Sequence, residues 1–418
     1  MNMERELINR LAKALAEIPL IDPHTHINPN QPAAQSLDDL LGYHYYTELA
    51  HSVGMPHDPL AKEFDPLERT RIILKHAQHY ENTVQWSWFI ELCQTFFGWE
   101  GDRIVESDAD CLWKCAQEKC QQPDWSEQVL KRSNVEKVFL TNDFDDPLIG
   151  FDVTRYVPCL RTDDLVFKLL EPTVSQRLHS ATGIDVNDAD SVNQALDRLF
   201  DYFKKNGAKA CAISLPPNFE PMPLSDHDLT AAMKHQDHAT IARGVFWRIA
   251  ERCHSHRLPF DLMIGVNRKV YEKGVYQGQD LFDQRTSLIQ YAKLFNAFPE
   301  VPFCVSVLTS NQNQELASYS WIFPNVITSG HWWYANVPSL IERDLAVRLQ
   351  AVPMTKQLAY YSDAYKLEFV LPKFNMYRRI LARVLAEEYV LERHWSEEQA
   401  IALGQQLLRR NIERLFSN

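Results

Sequence analysis

The sequence lacks the features that mark membrane-spanning, secreted and nucleic-acid-binding chains. No apolar run approaches the roughly 18 residues that a membrane span needs, and the charged amphipathic pattern of residues 1–17 has no apolar secretory core. The 43 lysines and arginines are outnumbered by 55 aspartates and glutamates, for a formal net charge of −12, and the basic residues form no cluster. We therefore expect no membrane partner, no nucleic-acid partner and a cytoplasmic protein.

Cysteine is also too sparse and too scattered to build the fold. The eight cysteines of this 418-residue chain are spread along it without the paired spacing of a zinc cluster. Free thiols in a reducing compartment are the better interpretation. Since 45% of the residues are hydrophobic, the chain can bury a large core without cross-links.

What the sequence does contain is a series of short apolar runs separated by helical patterns. Such alternation predicts an α/β fold, and eight runs predict a (β/α)8 TIM barrel that spans residues 1–418 as a single domain. The predicted strands are Pro19–Asp22, Val135–Leu140, Tyr156–Leu160, Ala208–Leu215, Pro259–Gly265, Pro302–Leu308, Asn325–Ser329 and Gln357–Ser362.

More than one hundred residues separate the first predicted strand from the second. Residues 36–128 are rich in aromatic side chains and helical periodicity, and we interpret them as a helical insertion. A connection that leaves the end of a barrel strand emerges on the catalytic face, where additions often exclude water. The sequence therefore predicts a lid within the barrel domain.

The most informative motif follows the first strand and reads Asp-Pro-His-Thr-His. Because side chains alternate along an extended backbone, His24 and His26 should point to the same side. Two imidazoles held side by side form half of a divalent-metal site. The alternative is a pair of exposed loop histidines.

Asp363 is the natural third ligand, because it follows the eighth strand, which is the neighbour of the first in a closed barrel. Two imidazoles and one carboxylate would hold one divalent metal, with zinc expected, and leave positions open for water or substrate. The alternative role for Asp363 is the N-cap of a helix.

At this point the chain resembles the uronate isomerase (glucuronate isomerase) family of the amidohydrolase superfamily, as a divergent member. That family has Asp-Pro-His-x-His on strand one, and further elements follow in order over nearly the whole chain. The matching elements here are Tyr43-His44-Tyr45, Thr141-Asn142-Asp143, Arg161-Thr162-Asp163, Trp332-Trp333-Tyr334, Asp363 and Met376-Tyr377-Arg378-Arg379.

The resemblance implies a metal-dependent aldose–ketose isomerase acting on a hexuronate, glucuronate or galacturonate, or on a related sugar acid. It implies catalytic roles for Asp363 and Tyr45. Substrate contacts would come from His44, Arg161, Trp332 and Trp333. Arg161 alternatively forms an ion pair with a neighbouring aspartate, and the tryptophans alternatively fill the core. Whether copies of the chain associate into a homo-oligomer is left open by the sequence.

Several positions depart from the family pattern. Ser-Asp-His-Gly after strand four is replaced by Ser214-Leu215-Pro216-Pro217, and Gln-Leu-His-Ile-Gly on strand five is replaced by Asp261-Leu262-Met263-Ile264-Gly265. The strand-eight arginine is replaced by Tyr365, and an arginine of the lid is lost near Glu48. Two alternatives therefore stay open, a mononuclear metal-dependent hydrolase of the same superfamily and a catalytically reduced paralogue that only binds a sugar acid.

Overall fold

A computed structural model of the chain describes residues 2–275 and 278–417. All eight predicted strands are present as parallel neighbours, and we number them β1 to β8. β3 is divided by Pro158, which has no backbone N–H to donate to the ladder. The strands are β1 Leu20–Asp22, β2 Val135–Phe139, β3 Tyr156–Val157 and Cys159–Arg161, β4 Ala210–Leu215, β5 Phe260–Ile264, β6 Phe303–Val307, β7 Val326–Ser329 and β8 Gln357–Leu358.

Hydrogen bonds connect the last strand to the first and close the ring. The Asp363 amide donates to the His24 carbonyl at 3.1 Å, and the His26 amide donates to the Ala364 carbonyl at 2.8 Å. The seven other neighbouring pairs are joined by parallel ladders, with the division in β3 bridged by Asn142 and Leu160. The prediction of a barrel is therefore confirmed, although β8 is four residues shorter than Gln357–Ser362.

Helices connect the strands and cover the outside of the barrel. The α-helices are Asn2–Ala16, Leu37–Leu41, His44–Ser52, Pro66–Ala77, Val84–Phe97, Ala109–Cys120, Trp125–Ser133, Asp163–Phe167, Pro172–Thr182, Ala189–Lys205, Asp226–Lys234, His238–His256, Ala292–Ala297, Ser310–Ile322, Pro338–Ala351, Val370–Val384, Glu397–Gln405 and Asn411–Leu415. Two π-helical segments, Leu385–Leu391 and Gln406–Arg410, continue the helices before them. Among the described helices, none combines the length and apolar character of a bilayer crossing.

The barrel strands alternate in the way that a packed core requires. Along β5, Phe260, Leu262 and Ile264 pack against the surrounding helices, so the intervening side chains face the interior. The interior itself is filled by small and apolar side chains from the strands together with the C-terminal helix, whose neighbour Phe416 contacts Phe139 at 4.7 Å between ring centroids. The interior is therefore a mostly apolar, filled core, with Asp261 on β5 as a buried charged side chain within it.

Six α-helices lie between β1 and β2, where the sequence predicts a helical insertion. Local signals set their bounds: Thr83 accepts a hydrogen bond from the Trp86 amide at the start of Val84–Phe97, and Gly98 ends that helix in the left-handed conformation at φ +73°. The aromatic side chains of this segment are mostly buried and share one core with Val370–Val384. This packing attaches the segment to the barrel beside β8.

Candidate metal and substrate site

His24, His26 and Asp363 converge at the carboxyl ends of β1 and β8. The Asp363 Oδ1 atom lies 3.5 Å from His24 Nε2 and 3.3 Å from His26 Nε2. One ligand atom from each of the three residues falls within 4.8 Å of the others. The barrel predicted from the sequence already implied this convergence, since His24 and Asp363, 339 positions apart in the chain, meet here only if the ring of strands closes.

The outer nitrogens of the two imidazoles are engaged by different partners. The Thr141 hydroxyl donates its single proton to the Thr25 carbonyl at 2.9 Å, so the His26 Nδ1, 2.7 Å from the Thr141 oxygen, must be the donor to it. The His24 Nδ1 lies 3.0 Å from the carboxylate Oδ2 of Asp261 on β5. Both imidazoles therefore carry a proton on Nδ1 and can present Nε2 as a ligand.

Electrostatics favour a neutral imidazole at His26 and an ionised carboxylate at Asp363. Burial lowers the pKa of His26, with Arg161 adding to the effect against the opposing influence of Asp363. Burial alone would raise the pKa of Asp363, but the neighbouring imidazoles of His26 and His24 and the charge of Lys373 hold it below its usual range. A neutral imidazole beside an ionised carboxylate is the state in which both groups bind a metal.

The convergence leaves buried atoms unsatisfied. Among the described residues, His24 Nε2 and Asp363 Oδ1 are buried atoms without a hydrogen-bond partner. Unpaired buried polar atoms are costly and rare in folded proteins. Two imidazole nitrogens and one carboxylate oxygen form a donor set suited to a borderline divalent ion such as zinc, so the residues present fit a metal.

The backbone that carries Asp363 is unusual and is held by buried side chains. Asp363 has φ +54°, a conformation that non-glycine residues rarely adopt. The Tyr43 hydroxyl donates to the Asp363 carbonyl at 3.0 Å, and the Lys373 ammonium donates to the Ser362 carbonyl at 2.7 Å. Asp22 accepts from the amide and hydroxyl of Ser362. These contacts fix the direction of the Asp363 carboxylate, and Asp363 caps none of the described helices.

An aromatic arc leads away from the triad along the mouth of the barrel, which we define as the carboxyl ends of β1 to β8. Tyr365 stacks on His26 with 5.0 Å between ring centroids and contacts His44 at 5.9 Å. His44 contacts Trp333 at 5.8 Å, and Trp333 stacks on Tyr334 at 5.1 Å. The structure thus brings His44 and Trp333 to the same rim as the triad.

A polar arc continues around the mouth. The Tyr334 hydroxyl donates to the Asp280 carbonyl at 2.6 Å, and the Asp280 carboxylate pairs with Arg268 at 2.5 Å. The other terminal nitrogen of Arg268 donates to the Ser214 hydroxyl at 2.9 Å, beyond which the Ser214 amide donates to Asp163 at 3.3 Å. Arg268, in the loop of the small hairpin Val266–Asn267 with Leu281–Phe282, therefore lies across the carboxyl end of β4.

Arg161 connects the polar arc to the triad. Its Nε lies 3.1 Å from the Asp163 carboxylate, the ion pair that the sequence left as an alternative, and its side chain remains 37% exposed. Its charge acts on both His26 and Tyr365. Arg161 thus sits between the polar arc and the triad, with part of its guanidinium open to a ligand.

The remaining predicted residues lie deeper. Tyr45 is buried beside His44, with Lys373 5.0 Å from its ring centroid, and burial followed by the charge of Asp363 raises its pKa well above the usual value. Trp332 is 6% exposed and packs with Tyr361 and Met263, so its contact with solvent is small.

Three residues of the site went unnoticed in the sequence: Asp261, Arg268 and Lys373. Asp261 had a usable signal, since an acid inside the apolar run Phe260–Ile264 must face a partner if the strand is buried. Arg268 lies in the loop of a hairpin whose strands are two residues long, and Lys373 lies in a helix. No local sequence pattern at either residue indicates its partner.

Comparisons with known proteins point to one family. A sequence model of the family described as glucuronate isomerase matches residues 2–416. A uronate isomerase of Corynebacterium efficiens is 23% identical, covering 94% of this chain and 92% of its own length. The crystal structure of a uronate isomerase from Thermotoga maritima superimposes with a TM-score of 0.89 at 17% identity, covering 98% of this chain and 97% of that one. A glucuronate isomerase from Caulobacter crescentus also gives a TM-score of 0.89, at 19% identity, covering 99% and 94%. The chain belongs to the glucuronate isomerase family.

Proposed function

We propose that this chain interconverts an aldose and a ketose form of a hexuronate, glucuronate or galacturonate, with one divalent metal, zinc, held by His24, His26 and Asp363. The observation that carries the proposal is the convergence of their three ligand atoms within 4.8 Å at the mouth of a barrel of this family. When bound, the metal would polarise a substrate oxygen.

The isomerisation moves a proton between adjacent carbons of the open-chain sugar acid. We assign the acceptor role to the Asp363 carboxylate, which is ionised and aimed by the contacts at Ser362 and Tyr43. Tyr45 keeps its phenolic proton at neutral pH, because burial raises its pKa. It would orient a substrate oxygen by hydrogen bonding, and His44, paired with Glu48 at 2.8 Å, would do the same from the adjacent position.

The substrate carboxylate needs a cation that is accessible from the mouth. We assign this role to Arg161 and Arg268, which are 37% and 50% exposed and lie at the ends of β3 and beyond β5. Each guanidinium has further N–H groups beyond those used by its aspartate. Lys373 is fully buried and occupied by a carbonyl, so it is unsuited to this role.

The aromatic arc would line the chamber. Trp333 and, to a smaller extent, Trp332 offer apolar faces to the C–H groups of a sugar. Residues 36–128 would act as a lid that excludes water, since Tyr45 and His44 come from this segment and contact the barrel.

The test is incubation of the purified chain with glucuronate and with galacturonate, each with Zn²⁺, Mn²⁺ or Co²⁺ and after chelation. The expected result is formation of the keto acid, abolished by chelation and restored by a divalent ion. Binding of the uronate without a keto product would favour the sugar-acid-binding alternative, and cleavage of a lactone or amide analogue without isomerisation would favour the hydrolase.

A further inference from the structure

Asp261 places a carboxylate in a buried position, where loss of its hydration costs free energy. It projects from the middle of β5 into the barrel interior, where its neighbours in register are Ala212 on β4 and Cys304 on β6. Its side chain is 11% exposed, and its Oδ1 atom has no hydrogen-bond partner among the described residues. Apolar and thiol surroundings do not compensate a carboxylate, so its placement needs a specific partner.

That partner is His24. The Asp261 Oδ2 atom lies 3.0 Å from His24 Nδ1, while His24 Nε2, on the other side of the imidazole, faces Asp363. The imidazole, 4% exposed, is thus held between a carboxylate below it in the barrel and a carboxylate at the mouth. An imidazole that donates its outer N–H to a carboxylate is fixed in one tautomer and becomes a stronger metal ligand.

The two histidines differ in this respect. His26 has the neutral hydroxyl of Thr141 at its Nδ1, whereas His24 has a charged group there. Packing alone does not require a carboxylate at position 261, since a smaller uncharged residue would also fit between Ala212 and Cys304. A charged acceptor at Nδ1 holds the proton there and directs Nε2 toward Asp363 and His26.

We propose that Asp261 is a positioning residue for the metal: its carboxylate orients His24 and strengthens the hold of the site on a divalent ion. This inference rests on the metal part of the proposed function and is separate from the identity of the substrate. Asp261 touches neither the ion nor the sugar acid and acts through His24.

The experiment measures the Zn²⁺ dissociation constant of the full chain by competition with a chromophoric chelator. The variant Asp261→Asn keeps the size and one acceptor oxygen but removes the charge, and the expected result is Zn²⁺ binding weaker by about 10- to 100-fold. Asp261→Glu, which keeps the charge, should lose less and serves as a second variant if the asparagine form folds poorly. The Co²⁺ forms supply a spectroscopic measure of ligand geometry, which should change in Asp261→Asn and return toward wild type in Asp261→Glu.

Cys304→Ser is the matched control, because Cys304 is the neighbour of Asp261 in register on the adjacent strand β6. It should leave the zinc affinity within about twofold of wild type. Unchanged zinc affinity in Asp261→Asn, or an equal loss in Cys304→Ser, would overturn the inference. Wild-type chain that binds no Zn²⁺ would overturn it together with the metal part of the function. Tight Zn²⁺ binding that depends on Asp261, without any uronate turnover, would sustain the inference while the proposed reaction fails.

Discussion

The two sides of the barrel mouth are built differently. On the side of β1 and β8, His24 and Asp363 are buried, His26 is 21% exposed, and the Nδ1 atom of each imidazole has a protein partner. On the side of β4 and β5, the rim is formed by Ser214 and by Arg268, whose side chain is 50% exposed.

This difference separates what the chain shares with its family from what is its own. The side proposed to bind the metal has the histidines and aspartate that the resemblance implies, whereas the opposite side lacks the strand-four and strand-five histidines that the resemblance would lead one to expect. Met263, in place of the second of these, packs with Trp332 and is a poor ligand for a hard or borderline ion. This difference fits the proposed single-metal site and places the departures from the family pattern on the proposed substrate side.

The largest expected effect is on the metal side. His26→Ala removes one of three ligands, and loss of the several kcal/mol that a metal contributes should lower turnover of galacturonate or glucuronate by about 10³-fold or more. Initial rates of keto-acid formation at saturating Zn²⁺ are the measurement. His227→Ala, at a histidine whose side chain is 90% exposed, is the control and should behave as wild type. Turnover of the His26 variant within tenfold of wild type would break the distinction between the two sides.

A smaller effect is expected on the opposite side. Arg268→Met removes a charged donor, and such a contact is worth about 1.5 to 3 kcal/mol, so KM for the uronate should rise by about 10- to 100-fold with little change in kcat. Arg285→Met provides the control, since Arg285 lies near the same hairpin, is 67% exposed and, within residues 2–275 and 278–417, forms an ion pair with Asp283 alone. If both variants raise KM equally, Arg268 does not recognise the substrate.

The smallest effect concerns two buried histidines. His24 has two carboxylate partners, and they raise its pKa against the opposing effect of burial. His331, after β7, has no hydrogen-bond partner at either ring nitrogen among the described residues, and burial lowers its pKa well below the usual value. It is enclosed beside Tyr377, 5.9 Å away between ring centroids.

The sign of the pH dependence follows from His331. The unfolded chain takes up a proton near pH 6.5 while the folded chain does not, so His331 lowers stability as pH falls below 6.5, by about 1.4 kcal/mol per pH unit. Urea unfolding of wild type and His331→Leu between pH 7.5 and 5.5 should give a flatter dependence for the variant. Identical slopes would show that the imidazole is hydrated or paired in the folded protein.

The sequence predicted the barrel because its strands are buried on both sides and appear as short apolar runs between helices. It also predicted the meeting of His24, His26 and Asp363, since ring closure alone determines it. It did not predict Asp261 or Arg268, because their partners His24 and Ser214 lie 237 and 54 positions away on strands whose inward faces must be known first. The carboxyl end of β8 lies four residues earlier than predicted, because residues 359–362, although mostly apolar, turn into the loop that carries Asp363.

Zinc titration of the chelated chain, monitored by isothermal calorimetry, tests the central claim most directly. We expect one Zn²⁺ per chain for wild type and affinity reduced by at least about 100-fold in Asp363→Ala, because one of three proposed ligands is lost. Absence of Zn²⁺ binding by wild type at neutral pH, or equal affinity in the two proteins, would contradict it.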